Sequence, residues 1–336
     1  METELRNDIK RAAEKQYTPY EIRRNMQKMQ RSDGGVVCLY EDETGSICST
    51  SYTPFRGVSF VQKEVHMPRF VSNWRYGPVD AVAIEYCTEG RLECQVGEDC
   101  LYISPGDVVI SRTDPYPREL QYPSCHYHAY SFVFYLQEPS EVLNLHLKMA
   151  GFTMEMLLQK YLPNQKYFNV LKQAEPLKEL FDTMIKAPES IKTTYIGIKS
   201  LESLVLLSAN IVQIEEKLPK KISRHQAELV KQVYRYVMEH PEERFSIEEL
   251  AAQFHISATH LKTCFQIVYG MPMQKFIREQ KMKAAAAVLE MTNDKVTDVA
   301  QMFGYSNISK FAESFKSVMG EHPKHYSMHH RRTKQG

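Results

Sequence analysis

The stretch Ile247-Glu-Glu-Leu-Ala-Ala-Gln-Phe-His-Ile-Ser257 recurs in altered form as Val296-Thr-Asp-Val-Ala-Gln-Met-Phe-Gly-Tyr-Ser306. The apolar residues of the two copies keep one constant offset. After a single inserted residue the match continues to a glycine in each copy, Gly270 and Gly320. A spacing shared over so many apolar positions indicates an internal repeat.

Each copy has the pattern of two helices joined by a tight turn. The turn residue is His255 in one copy and Gly304 in the other, and both residue types tolerate a positive φ. Ser257 and Asn307 are suitable N-caps for the helix that follows. That helix would bury an apolar face at helical spacing, formed by Leu261, Phe265 and Val268, or by Phe311, Phe315 and Val318. Such helix pairs present a recognition helix to the DNA major groove, and a helical-repeat binding protein is the alternative.

A single long helix is predicted between the two copies, from Pro272 to Met291. About 18 helical residues span roughly 27 Å. Major-groove segments on one face of DNA lie about 34 Å apart. The linker helix would therefore let the two copies address adjacent segments.

The composition is that of an ordinary globular protein of two or three domains. The chain has 336 residues, of which 43% are hydrophobic and 25% charged, and no apolar run reaches the ~18 residues of a membrane span. The charged N-terminus lacks the apolar core of a signal peptide. We therefore expect a cytoplasmic protein without a membrane partner.

The charge is unevenly distributed along the chain. From Lys220 onward there are 18 lysines and arginines against 12 aspartates and glutamates, a net charge of +6. The preceding residues carry 24 against 29, a net charge of −5. A basic C-terminal part joined to an acidic remainder suits a nucleic-acid-binding module attached to a domain with another task.

Four regions are predicted: an N-terminal helical extension (1–33), a strand-rich sensor and dimerisation domain (34–218), a linker (219–222) and a helical domain (223–336). The extension is predicted to be helical because Ile22, Met26 and Met29 recur at helical spacing.

Short strands at regular intervals between residues 36 and 136 indicate a β-barrel or jelly roll. The predicted strands are Val79–Tyr86, Leu92–Val96, Leu101–Ile103, Val108–Ile110 and Phe132–Leu136.

The helical region that follows contains one helix that is apolar on two faces. These faces are Ile198, Leu201 and Val205 on one side, and Leu204, Leu207, Ile211 and Ile214 on the other. Such a helix must be covered twice. One face would pack on its own domain and the other on a second subunit of a homodimer, unless both are buried within one domain.

From about Ile222 to Tyr326 the sequence resembles the AraC/XylS family of bacterial transcription regulators. The resemblance rests on the two helix-turn-helix units, the linker helix, and Gly304-Tyr-Ser306 followed by Phe311, Phe315 and Gly320. It implies an α+β protein in which a cupin-like barrel with dimerisation helices precedes an all-α DNA-binding domain. It also implies an effector-responsive regulator that binds double-stranded DNA and a small molecule. RNA polymerase is kept as a candidate partner.

Ten residues on the two recognition helices are predicted to face DNA. They are Ala258, Thr259, Lys262, Thr263 and Gln266 on the first helix, and Ile308, Ser309, Lys310, Glu313 and Lys316 on the second. Their polar side chains can bond base edges or phosphates. The second helix also offers an apolar residue and a carboxylate, so we expect the first helix to read most of the sequence.

The sequence departs from the family pattern at three positions. Lys281 stands where the linker helix usually has arginine, and Ser327 where arginine commonly follows the tyrosine. Glu313 occupies a position that is often basic or polar; its carboxylate would repel phosphate but can accept a hydrogen bond from the amino group of cytosine.

Aromatic and histidine side chains of the strand-rich domain are candidates for an effector pocket: Trp74, Tyr86, Tyr122, His126, His128 and Tyr130. Their alternative is an ordinary aromatic core. The two histidines face one side of a strand and could chelate a metal with Cys125 or His66. Metal-binding cupins usually place this motif before the Gly-Asp turn, whereas here it follows Gly106-Asp107. We therefore predict histidines that line a pocket or are buried, with no metal and no cofactor.

The sequence contains no nucleophile–base motif, phosphate loop or paired carboxylate signature, and we predict that the protein is not an enzyme. The alternative from another class is a cupin-type metalloenzyme with an accessory helical domain. Seven cysteines without a close pair indicate reduced thiols, and a thiol redox sensor is a third hypothesis.

Overall fold

The structure is a computed structural model. It describes residues 26–71, 80–112, 119–137, 141–165, 167–209, 211–214 and 221–332. The chain divides into two compact units, residues 1–94 with 101–220, and residues 95–100 with 221–336. Strands with covering helices make up the first unit, and helices dominate the second. The fold is therefore of the mixed α+β class, as predicted.

Fourteen strands occur in the described residues. They are β1 (Met26–Gln30), β2 (Val36–Asp42), β3 (Gly45–Phe55), β4 (Val58–His66), β5 (Arg69–Val71), β6 (Ala81–Gly90), β7 (Leu92–Val96), β8 (Asp99–Ile103), β9 (Val108–Arg112), β10 (Glu119–Gln121), β11 (Tyr127–Tyr135), β12 (Phe168–Lys172), β13 (Gln213–Ile214) and β14 (Ile222–Ser223). Each of the five predicted strands overlaps one of them.

The main sheet of the first unit has the strand order β1-β2-β3-β4-β11-β6-β9-β12-β13. Its outer strands are β1 and β13, so within the described residues this sheet does not close into a barrel. A second sheet includes the order β8-β7-β10-β5. The cupin-like barrel remains a prediction.

The central strand β11 separates two hydrophobic cores because its side chains alternate between the two faces of the sheet. Phe132 and Phe134 pack with residues of the covering helices, such as Phe181. Tyr127 and Ala129 point the other way, into a core shared with the second sheet.

The predicted helix through Met26 and Met29 is wrong for the residues that the structure describes. Residues Met26–Gln30 form an edge strand that pairs with β2, with Gln30 opposite Val36. The intervening turn is fixed by Asp33, whose carboxylate accepts hydrogen bonds from the Gly35 amide (3.0 Å) and the Tyr52 hydroxyl (2.9 Å). This turn leads β1 into β2, so that the two strands pair antiparallel. The cross-strand pairing overrides the local helical spacing. Ile22 and the rest of the predicted extension lie outside the described residues.

Eleven α-helices are described: α1 (Glu141–Met149), α2 (Met154–Tyr161), α3 (Glu175–Ile185), α4 (Lys192–Ser208), α5 (Arg224–Glu239), α6 (Ile247–Gln253), α7 (Ala258–Tyr269), α8 (Met273–Met291), α9 (Val296–Met302), α10 (Ile308–Met319) and α11 (Pro323–Arg332). None of these helices is long and apolar enough to cross a membrane.

The helix predicted to be apolar on two faces is α4, but it is shorter than predicted. It ends at Ser208, so Ile211 lies beyond it and Ile214 belongs to strand β13. Leu204 and Leu207 are buried in the core of their own unit. The other face is largely open.

In the helical unit of the chain, the loop between α5 and α6 lies against the turn between α9 and α10. Gly304, in that turn, has a φ of +76°, and a Cβ added there would lie 2.5 Å from the carbonyl oxygen of Glu242. The Nε of Arg244 donates a hydrogen bond to the carbonyl oxygen of Gly304 (3.0 Å). Only glycine fits this contact without moving the backbone.

We predict that Gly304→Ala destabilises the protein more than Gly320→Ala. Both glycines have a positive φ, which costs an alanine roughly 1–2 kcal/mol. At Gly320 an added Cβ has no atom within 4 Å, whereas at Gly304 it meets the Glu242 carbonyl. Urea unfolding of the full chain, followed by far-ultraviolet circular dichroism, should show an additional loss of at least about 1 kcal/mol for Gly304→Ala. Equal losses would contradict the packing constraint at Gly304.

Candidate nucleic-acid interface

The first helix-turn-helix unit consists of α6, a four-residue turn and α7. Helix α6 begins with a capping box. The Ser246 hydroxyl accepts a hydrogen bond from the Glu249 amide (3.1 Å), and the Glu249 carboxylate accepts one from the Ser246 amide (2.8 Å). His255 in the turn has a φ of 54°. Ser257 caps α7 by accepting the His260 amide (3.2 Å). The predicted positive φ and N-cap are both confirmed.

The second helix-turn-helix unit, α9 with α10, repeats this geometry. Gly304 takes the left-handed conformation that His255 takes in the first unit. The side chain of Asn307 accepts the amide of Lys310 (3.1 Å), which confirms the second predicted N-cap. Helices α7 and α10 both end at a glycine with positive φ, Gly270 and Gly320. Each unit therefore starts and stops its second helix by the same local interactions.

Helices α7 and α10 bury one face and expose the other. Leu261, Phe265, Phe311 and Phe315 are fully buried, while Val318 is half-buried. The exposed side chains are Thr259, Lys262, Thr263, Gln266, Ile308, Ser309, Lys310, Glu313 and Lys316, with Ala258 half-buried. We call these ten residues the recognition faces. Their contacts with DNA remain a prediction.

Lys262 and Lys275, beside or on the recognition faces, take part in loose ion pairs. The Nζ of Lys262 lies 3.7 Å from Oε1 of Glu248, and the Nζ of Lys275 lies 4.0 Å from Oε1 of Glu279. Exposed pairs of this kind contribute little stability. These ammonium groups can therefore exchange their carboxylate partner for a phosphate at small cost.

Sequence reasoning missed two arginines between the helix-turn-helix units. A groove of about 610 Å³ is lined by residues of both units, among them Arg244, Arg278 and Lys310. Arg244 and Arg278 are both exposed. Arg244 precedes the first unit and Arg278 lies on the linker helix, so neither belongs to a recognition helix. Only the packing of the two units brings them together.

A scan against protein families matches residues 250–329 to a model described as "Helix-turn-helix domain". The HTH-type transcriptional activator AarP of Providencia stuartii is 27% identical over 109 residues, which are 32% of this chain and 81% of that protein. Residues 250–329 form the helix-turn-helix domain of a DNA-binding transcription regulator of the AraC type. An uncharacterized HTH-type transcriptional regulator, YisR of Bacillus subtilis (strain 168), is 29% identical over 92 residues, which are 27% of this chain and 32% of that protein.

Among solved structures, the AraC-type domain is similar to the DNA-binding domain of AdpA in complex with a target DNA. The identity is 26% and the TM-score 0.31, over 32% of this chain and 97% of that one. ToxT from Vibrio cholerae O395 matches over 81% of this chain and 97% of its own, with 14% identity and a TM-score of 0.27.

Lys281, one of the departures from the family pattern, is an internal anchor of the AraC-type domain. The residue is 8% exposed, and its ammonium group donates hydrogen bonds to the carbonyl oxygens of Pro241 (2.6 Å) and Glu243 (3.0 Å). Burial lowers the pKa of Lys281, and the charge of Glu242 opposes this shift. Ser327, another departure, is also buried. Both positions therefore support the domain rather than the DNA-facing surface.

The predicted effector residues do not share one surface. Tyr86 and Tyr130 lie on the helix-covered side of the main sheet, where their rings face Phe181 and Phe60 at centroid distances of 5.7 and 6.1 Å. Tyr122 is buried in the other core. Trp74 lies outside the described residues.

A buried carboxylate inside the strand-rich unit was not anticipated from the sequence. Glu85 accepts hydrogen bonds from the hydroxyls of Tyr127 (2.6 Å) and Ser131 (2.7 Å), and it pairs with Lys63. Burial acts to raise the pKa of Glu85, but the Lys63 ammonium and the hydrogen bonds hold it below its ordinary value. Strand pairing brings these residues together across β4, β6 and β11.

His126 and His128 are in contact with a third histidine, His66, and with Glu89. The pKa of Glu89 is lowered, first by its hydrogen bond with His126. Burial and the neighbouring His126 lower the pKa of His128. The two predicted histidines are half-buried, so they are not buried core residues.

We predict that Lys281→Met lowers the free energy of unfolding, because the carbonyls of Pro241 and Glu243 lose a charged donor. Hydrogen bonds to charged groups contribute roughly 1.5–3 kcal/mol each. Lys283→Met on the same helix is the matched control, since Lys283 is exposed. Urea unfolding should show a loss for Lys281→Met and a change within about 0.5 kcal/mol for the control. Similar results for the two variants would contradict the anchoring role.

Proposed function

We propose that this protein is an effector-responsive dimeric regulator that reads two adjacent major-groove segments. The observation that carries the proposal is the duplicated helix-turn-helix unit with an exposed polar face on each second helix. The linker helix α8 has 19 residues, a length of roughly 28 Å. This length suits two recognition helices that enter the groove about one helical turn apart.

The first recognition helix would carry most of the base reading. Its exposed Thr259, Lys262, Thr263 and Gln266 all have groups that can bond base edges. The second helix presents Lys310 and Ser309 beside Ile308, Glu313 and Lys316, and we assign it mainly to positioning. Arg244 and Arg278 in the intervening groove are suited to the phosphate backbone that runs between two major-groove segments.

The strand-rich unit is proposed as a cupin-like sensor for a small-molecule effector. The division of the chain near residue 220 supports the proposed domains, a sensor and dimerisation domain (34–218) followed by a linker (219–222) and the DNA-binding domain (223–336). Tyr86, Tyr130, His126 and His128 share one sheet face, and we keep them as effector candidates. Thermal-shift screening of the full chain would detect ligands through their stabilisation of the native state.

Helix α4 is proposed as the homodimer contact. Ile198 and Val205 lie seven residues apart on one side of the helix and are 57% and 47% exposed. The neighbouring helix α1 also exposes Leu145 (57%) and Met149 (78%). Contiguous exposed apolar side chains on packed helices are typical of an interface.

We predict that Lys262→Ala combined with Lys310→Ala weakens binding to the DNA upstream of the protein's own gene by about 10-fold or more, because each substitution removes a base or phosphate contact. Fluorescence anisotropy at several salt concentrations would measure both the affinity and its salt dependence. Each lost phosphate contact should make the negative slope of log K against log[salt] shallower by about 0.9.

Lys178→Ala in α3 is the control for this experiment, because Lys178 belongs to the strand-rich unit and not to the helix-turn-helix domain. It should leave DNA affinity unchanged. Unchanged affinity of the double variant, with the control behaving as expected, would reject the assigned recognition faces. Absence of salt-sensitive DNA binding by the full chain, with or without effector, would reject the proposed function itself.

We predict that Ile198→Asp combined with Val205→Asp converts a dimer into a monomer, because burial of two carboxylates in an apolar contact is costly. Light scattering coupled to size-exclusion chromatography measures the mass. Met29→Asp is the control, since Met29 is 65% exposed on the edge strand β1. A double variant that remains dimeric would move the interface elsewhere.

A further inference from the structure

Three histidines from separate parts of the sequence form one cluster on the strand-rich unit. His66 is the last residue of β4, His126 directly precedes β11, and His128 is the second residue of β11. One nitrogen from each ring can be chosen so that all three atoms lie within 4.8 Å of one another. Among the described residues, no other group of three histidine, cysteine or acidic side chains has such spacing.

Strand register explains why these residues meet. Strands β4 and β11 are antiparallel, with Val65 opposite Tyr127. One position further along, His66 and His126 come side by side. Alternate residues share a sheet face, so His128 lies on the same face as His126. The three rings pack with centroid distances of 5.1 Å (His66–His126), 5.2 Å (His66–His128) and 4.3 Å (His126–His128).

The backbone around His126 is fixed by three interactions. Its carbonyl oxygen accepts hydrogen bonds from the Arg91 amide (3.1 Å) and the Ser124 hydroxyl (3.0 Å). Gly90, with a φ of +73°, lies so close that an added Cβ would be 1.8 Å from this oxygen. Cys125, the preceding residue, has a positive φ of 52°. The ring of His126 therefore projects from a constrained position, which lowers the entropy cost of binding a ligand there.

We propose that His66, His126 and His128 bind a divalent transition-metal ion of the zinc class. The imidazole nitrogen is a preferred ligand for zinc, copper, nickel and iron. In a tetrahedral zinc site with Zn–N bonds of about 2.0–2.1 Å, neighbouring ligand atoms are about 3.3 Å apart. The Nδ1 atoms of His66 and His126 are 3.3 Å apart, close to the separation that shared coordination requires. His66 also places its Nε2 atom 3.4 Å from Nε2 of His128, but a single imidazole gives only one nitrogen to an ion. With one nitrogen chosen from each ring, the three atoms lie within 4.8 Å of one another, so small side-chain rotations would bring them to coordination distance.

Glu89 supplies the carboxylate that a histidine ligand commonly uses for orientation. It lies on β6 directly opposite His128 in the sheet register. Its Oε2 is 2.8 Å from Nε2 of His126 and 3.7 Å from Nδ1 of His128. A proton on Nε2 of His126, donated to Glu89, leaves the lone pair on Nδ1, the atom that faces His66. We assign Glu89 as a positioning residue for this tautomer.

The cluster is open to solvent on one side. His66 is exposed, and the other two histidines are half-buried. An ion can therefore enter without unfolding of the sheet, and a water molecule can occupy its fourth position. Because the opposite face of these strands packs into the core with Val65 and Tyr127, the ligands rest on rigid backbone.

Zinc titration of the full chain tests the proposal. Metal-free protein would be titrated with Zn²⁺ by calorimetry, and Co²⁺ would be added as a spectroscopic probe, since four-coordinate cobalt has intense visible absorption. We expect wild-type protein to bind one more Zn²⁺ per chain than His66→Ala/His126→Ala, and only the wild type to give the cobalt spectrum. Comparing the two counts removes any binding to the histidines near the C-terminus.

Two further variants sharpen the test. Glu89→Gln should weaken zinc binding about 10- to 100-fold, as expected for loss of an outer-shell carboxylate. His146→Ala is the matched control, because His146 is an exposed histidine of α1 that contacts the Val142 carbonyl (2.7 Å). It should bind as the wild type does. Equal zinc stoichiometry and affinity in the wild type and the folded double variant would overturn the proposal, as would no zinc binding by the wild type at micromolar concentration.

Discussion

The arrangement of the two helix-turn-helix units depends on the approach of one backbone segment, residues 241–244, to the second unit. The carbonyl oxygen of Glu242 leaves no room for a side chain at Gly304, and Arg244 donates a hydrogen bond to the carbonyl oxygen of that glycine. Lys281 ties the same segment to the linker helix through two carbonyl oxygens. These contacts directly connect the segment that precedes the first helix-turn-helix unit, the linker helix and the turn of the second helix-turn-helix unit.

The same contacts explain how a lysine is accommodated inside a helical domain. A buried ammonium group is costly unless its donors are satisfied. Lys281 satisfies them with carbonyls of an irregular loop, whose oxygens have no helical partner. The positive charge therefore serves the loop, whereas Lys262 and Lys310 remain exposed on the recognition faces. Lysines of one basic region thus have different tasks, and burial distinguishes them.

The features of the AraC-type domain that could be predicted from the sequence are local. Positive φ at His255, the N-caps Ser257 and Asn307 and the spacing of the buried residues depend on neighbours a few positions away. Arg244 and Arg278 could not be predicted as groove residues, because their proximity depends on how the units pack. In the strand-rich unit the same limit was more severe. The apolar spacing at Met26–Gln30 predicts a helix, but these residues form an edge strand, because a turn and the pairing with β2 determine their conformation.

The histidine cluster shows the same distinction between local spacing and strand register. The spacing of His126 and His128 indicated a shared face, but His66 is 60 residues earlier than His126 and reaches them only through the pairing of β4 with β11. That sheet face changes character along β11: Phe132 and Phe134 lie beneath the helices, Tyr130 stacks on Phe60, and His128 lies beyond them. The helical layer covers the apolar end and leaves the imidazoles accessible. A metal ion at that end would join β4 to β11 beyond the helices that the structure describes, so it would stabilise a part of the sheet that their hydrophobic packing does not reach.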